Sequence, residues 1–203
     1  MKKILVLSLA LSIISCKKED NTNESASFSD AVSNVKNLKN LSNSMDDINK
    51  NIENLKKVTP LTNDEIKSVI PETLDGMKRT EITVGDNTMM QMTTAEAIYQ
   101  NDESKSIRLN IMDGAGETGS GMIGLLMMGF TANTEKTTET GFEKITEVNG
   151  TKMSVKENKE GENVSSEIQF VAKNRYLVSL DGEGFTYDEL AKAANEIDLS
   201  KLK

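Results

Sequence analysis

The stretch Phe142-Glu143-Lys144-Ile145-Thr146-Glu147-Val148-Asn149-Gly150-Thr151-Lys152-Met153-Ser154-Val155-Lys156 decides the fold. Asn-Gly is the preferred dipeptide of two-residue type I′ hairpin loops, because both loop residues need positive φ. With Asn149-Gly150 as that loop, Glu147 faces Lys152 and Glu143 faces Lys156, which gives two opposite-charge pairs on one face. Phe142, Thr146, Val148, Met153 and Val155 fall on the other face. Charge pairing and apolar clustering agree on a single register.

Downstream, Lys173-Asn174-Arg175 reads as a three-residue loop with Asn174 suited to the left-handed region. Ile168, Phe170 and Ala172 then share a face with Tyr176, Val178 and Leu180, a register that a buried face enforces. Upstream, residues 78–84, 93–100 and 106–112 are rich in β-branched residues and partly alternate, as strands do. Two capping boxes, Thr62-Asn63-Asp64-Glu65 and Thr186-Tyr187-Asp188-Glu189, open short helices. Pro71 stops the first, and the second runs to about Glu196. The expected class is α+β: an antiparallel sheet with short helices packed on one face.

Before this domain, residues 29–57 follow a helical pattern. Ala31, Val35, Leu38, Leu41, Met45, Ile48, Ile52 and Leu55 form a narrow apolar stripe, and the rest is mostly Asn, Lys, Asp and Ser. Such a stripe suits a spacer helix lying on one surface or the seam of a coiled coil. Self-association through residues 29–57 is therefore one expected contact. Residues 16–28 are small and polar, as a flexible tether is. The organisation is a segment 1–15, a tether 16–28, a polar amphipathic helix 29–57 and an α+β domain 58–203.

The first segment is a targeting signal. Lys2-Lys3 precedes an apolar run over residues 4–14, which is too short to span a bilayer and suited to a cleaved export signal. Ile13-Ile14-Ser15-Cys16 resembles the lipobox of bacterial lipoproteins. The resemblance implies a diacylglycerol thioether on Cys16, cleavage after Ser15 and acylation of the new α-amine. Several acyl chains anchor stably where one does not. Lys17-Lys18-Glu19-Asp20 resembles a tag that sends outer-membrane lipoproteins to the cell surface. The expected location is the outer membrane, lipid-anchored, with the cell surface favoured over the periplasmic face.

Composition narrows the chemistry. The 203 residues carry 24 basic and 32 acidic side chains for a net charge of −8, no histidine, one cysteine and no tryptophan. Without histidine or a second cysteine there is no Ser-His-Asp or Cys-His catalysis, no His-based zinc site and no internal disulfide. An acidic chain without a basic block is not expected to bind nucleic acid.

Four patterns could still carry chemistry. Gly114-Ala115-Gly116-Glu117-Thr118-Gly119 matches the dinucleotide fingerprint and follows a strand, yet hairpins rather than a second βαβ unit come after it. The alternative is that glycines let a helix over residues 121–130 approach the sheet, with Met122, Leu125, Leu126 and Met128 filling irregular space or lining an apolar ligand beneath it. Met89-Met90-Gln91-Met92 offers thioethers for Cu(I) but is more simply plastic core or binding surface. Ser33-Asn34-Val35-Lys36 matches S-x-x-K, and Ser42-Asn43-Ser44 follows it, with no K-T-G partner. Among the carboxylates, only Asp113 stands in a setting apolar enough to favour an acid role. No cofactor and no metal is expected, and no enzyme.

The order of strand, Gly/Met-rich helix, two hairpins and terminal helix resembles Mog1/PsbP-like envelope proteins across residues 71–202. The likeness rests on Pro71-Glu72-Thr73-Leu74-Asp75-Gly76, on Asp113 before the glycines and on the ending Ile197-Asp198-Leu199. It implies an α+β sandwich and carries no activity. The expected function is a non-catalytic, membrane-anchored binding module with a protein or envelope partner. The alternative is a carrier of an apolar ligand held between the sheet and the Gly/Met-rich helix.

Overall fold

The computed structural model describes residues 28–87, 92–101 and 105–203, and within these the side chains from residue 42 onward except at 86 and 87. Cys16, the Lys17-Lys18-Glu19-Asp20 tag, the tether up to residue 27 and Met89-Met90-Gln91 lie outside the described residues. The chain divides into two units, residues 1–38 and 39–203. Residues 28–38 of the first are helical, and they form the start of α1 (Phe28–Leu55). The C-terminal part of α1 belongs to the second unit, together with everything that follows.

That unit is built on nine antiparallel strands: β1 (Thr73–Leu74), β2 (Met77–Asn87), β3 (Met92–Gln100), β4 (Ser106–Asp113), β5 (Glu135–Thr138), β6 (Gly141–Val148), β7 (Thr151–Glu160), β8 (Asn163–Ala172) and β9 (Tyr176–Glu183). Their order in the sheet is β1-β2-β3-β4-β9-β8-β7-β6-β5. The two hairpin registers expected from sequence are present: Glu147 pairs with Lys152 and Glu143 with Lys156, and Ile168 pairs with Leu180 and Ala172 with Tyr176. Asn149 and Gly150 both take positive φ, as the type I′ loop requires, and so do Lys173 and Asn174.

Three further helices pack on the sheet: α2 (Asn63–Lys67), α3 (Gly116–Gly129) and α4 (Tyr187–Ala194). Both capping boxes form, with Thr62 and Thr186 accepting from the amides of Glu65 and Glu189 while those carboxylates return to the cap amides. A capping box is local chemistry, so four residues suffice to specify it.

The helices occupy both faces, not one as expected. The main core lies under α2 and α4, where Ile66 and Leu190 meet Ala97, Tyr99, Leu109, Ile111, Ile168, Val178 and Leu180. Neighbouring residues of the same strands, Met112 and Leu177, point the other way. With Met92, they join Leu55 of α1 and Ile123 of α3 in a second, smaller core. The strands near this end alternate apolar with apolar, so both faces needed cover.

Away from that end, the second face is charged. One cross-strand row runs Lys136, Glu143, Lys156, Glu167, Asp181, Arg108. The signs alternate except at its centre, where Glu167 and Asp181 stand opposite each other. Burial raises the Glu167 carboxyl pKa, and Asp181 adds to the rise. Burial likewise raises Asp181, with Glu96 adding to it and Arg108 opposing it.

Two predictions follow from these registers. Val155 is fully buried and Lys156 beside it is exposed. Val155→Asp should therefore cost several kcal/mol, about 3 or more, while Lys156→Asp should cost about 1 kcal/mol or less. Equal melting losses for the two would show the register to be wrong. The raised carboxyls give a pH dependence of known sign. Their stabilising protonation is complete below the unfolded carboxylate range and is lost as pH rises through the folded value. Glu167→Gln should thus raise the melting temperature near pH 7 by a small amount, solvent screening the pair, and leave it unchanged near pH 3. A variant less stable than the parent at neutral pH would contradict this.

Candidate functional site

At the C-terminal end of β4, the Asp113 carboxylate is fully buried and accepts four hydrogen bonds. Arg175 donates to it through Nε and Nη2, each at 2.7 Å, the Leu61 amide donates at 2.7 Å and the Ala115 amide at 3.0 Å. Arg175 also donates from Nη2 to the Thr59 carbonyl at 3.2 Å, and its guanidinium lies 4.8 Å from the Tyr176 ring centroid. Thr93 Oγ1 donates to the Leu61 carbonyl at 2.6 Å and secures the same loop from β3. These four donors fill the lone-pair sites of the two oxygens. The acid role considered for Asp113 gives way to a structural one.

The glycine run beside it has packing roles. A Cβ on Gly114 would stand 2.1 Å from Ile123 Cγ1 and 2.5 Å from the Arg175 carbonyl oxygen, and one on Gly119 would stand 2.8 Å from the Gly114 carbonyl carbon. Gly116 takes φ +83° as the chain turns into α3. The helix therefore starts five residues before the expected position, and the fingerprint-like glycines form its first turns. On the following turn, a Cβ at Gly124 would lie 2.3 Å from Ile52 Cδ1, so the end of α1 nests against this glycine.

This close nesting corrects the expected lining. The inward side of α3 is Gly116, Gly119, Ser120, Ile123 and Gly124. Met122 and Met128 are each 41% exposed and Leu125 is 70% exposed, on the side away from the sheet. Only Leu126, half-buried, packs against the second core, together with Met127. From Gly121 onward the helix has only glycine and apolar residues, which give no period to tell its inside from its outside, and the close approach required at Gly119 and Gly124 selects the small residues for the inner side. Between Gly121 and Gly129 the exposed positions are Gly121, Met122, Leu125, Met128 and Gly129, an uncharged apolar surface.

A cleft of about 440 Å³ opens beside the C-terminal end of α3. Ile48, Met127, Phe130 and Val171 supply apolar lining, while Asp47, Asn51, Lys152 and Lys173 supply polar groups. Asn51 Nδ2 bridges its walls, donating to the Asn174 carbonyl at 2.7 Å and to Met127 Sδ at 3.7 Å. Lys173 donates to the carbonyls of Ser200 and Leu202, which ties down the chain end. Sequence reasoning missed this cleft, because its walls come from segments distant in the chain.

The remaining sequence patterns are placed as follows. Ser33, Lys36, Ser42 and Ser44 fall on α1. Met92, the one described member of its methionine cluster, is buried in the second core. Among the described residues, no three His, Cys, Asp or Glu side chains are grouped to hold a metal ion, and no helix is long and apolar enough to cross a membrane. No protein-family model matches this chain, and no curated protein matches it.

Proposed function

We propose that this chain is a non-catalytic, lipid-anchored binding module of the bacterial cell envelope, acylated at Cys16 and held at the outer membrane. The single observation that carries the binding role is the outer side of α3. From Gly121 to Gly129 the helix carries no charged or polar side chain, and a soluble domain covers such a stretch, yet here Leu125 stands 70% exposed between Met122 and Met128. Methionine surfaces adapt to the shape of a partner. The partner surface is proteinaceous and apolar, and a second contact through residues 29–57 fits the polar helix with its apolar stripe. Surface display follows from the Lys17-Lys18-Glu19-Asp20 tag.

A second reading, a carrier of a small apolar ligand, draws support from the cleft lined by Ile48, Met127, Phe130 and Val171, whose volume falls within the range of ligand sites. The space directly beneath α3 does not favour it, since Gly119 and Gly124 already touch their neighbours there.

Two measurements test the proposal. A photo-crosslinking side chain at Met128 of the full chain, in living bacteria, should give a discrete protein adduct that Leu125→Asp abolishes. Adducts that persist in Leu125→Asp would refute the face, and a lipid recovered by mass spectrometry from purified protein would favour the carrier. Cys16→Ala should move the protein from the detergent phase to the aqueous phase. Unchanged partitioning would remove the anchor from the account.

A further inference from the structure

We propose that Met122 and Met128 are oxidation sites through which hydrogen peroxide switches the outer side of α3 from apolar to polar. The inference rests on the reading of that side as the binding face, and it supplies a regulation of it. In the reaction a thioether sulfur attacks one peroxide oxygen and the O–O bond breaks. The sulfur takes that oxygen and becomes a sulfoxide, oxidised by two electrons, while the other oxygen leaves as water with both protons.

Exposure sets which methionines react. Met122 and Met128 are each 41% exposed, whereas Met77, Met92 and Met112 are exposed by 5%, 7% and 5% and lie within the two cores. Met127, between the two groups, is half-buried, and its sulfur accepts from Asn51. A sulfoxide on Met92 or Met112 would place a polar oxygen in packed apolar surroundings. On Met122 or Met128 the oxygen meets water and leaves the fold intact. The effect on the face is large, because only Gly121, Leu125 and Gly129 accompany the two thioethers between residues 121 and 129. The chemistry thus changes the surface without touching the cores.

The test treats the purified full chain with graded hydrogen peroxide and follows three readouts. Peptide mapping by mass spectrometry should show Met122 and Met128 gaining oxygen about tenfold faster than Met77, Met92 and Met112. The melting temperature should stay unchanged when both are fully oxidised, and binding of an apolar fluorescent dye should fall by about half or more. A Met122→Leu/Met128→Leu variant keeps the apolar face without the sulfurs, and its dye binding should resist peroxide. Equal oxidation rates for exposed and buried methionines would overturn the proposal, and so would equal dye loss in the leucine variant. Leu125→Gln in unoxidised protein separates the two readings. If it leaves dye binding unchanged, the binding face itself is refuted and the switch with it, whereas the order of oxidation is decided by the peptide map alone.

Discussion

A carboxylate buried as completely as Asp113 is tolerable only with its charge answered, since an unpaired ion in such surroundings costs several kcal/mol. Arg175 answers it with a two-pronged pair, and the amides of Leu61 and Ala115 fill the remaining lone pairs. These bonds join three separate pieces of chain: the connection after α1, the junction between β4 and α3, and the loop between β8 and β9. The pair is worth little over an apolar substitute of the same shape, but loss of one partner leaves the other stranded. It acts as a registration point for helices that local sequence could not position.

Much of the second face follows from that point. The amide of Gly114 donates to the Arg175 carbonyl at 2.9 Å, which brings the β4 end so close to the loop that only glycine fits. Gly119 must then clear Gly114, so the small residues of α3 turn inward. Ile52 of α1 closes over Gly124. The larger side chains are left on the outside, where Leu125 and its two methionine neighbours form the surface proposed as a binding face. The packing that seals the inner side of α3 leaves its outer side exposed.

What the sequence made legible was local. The registers around Asn149-Gly150 and at Lys173-Asn174-Arg175, and both capping boxes, depend on residues within one hairpin or one helical turn, and each is found as read. Asp75-Gly76 is a local signal of the same kind, with both residues at positive φ in the β1–β2 turn. The misreadings were of long range. Asp113 and Arg175 stand 62 residues apart, so nothing near Asp113 reveals its partner. Likewise, Gly124 owes its steric role to Ile52, far earlier in the chain. The cleft near Phe130 needs α1, α3 and two hairpin ends together, and no periodicity announces such a meeting. The proposed lipidation rests on the likeness of the residues leading up to Cys16 to a processing signal, which has no counterpart in the fold.

Amide hydrogen exchange on the Arg175→Met variant, compared with the parent chain, tests the organising role of the buried pair most directly. The account requires the amides of residues 59–62 and of α3 to lose protection together, while the β6–β7 hairpin keeps its own. Uniform loss across the whole sheet, or unchanged protection in α3, would contradict it.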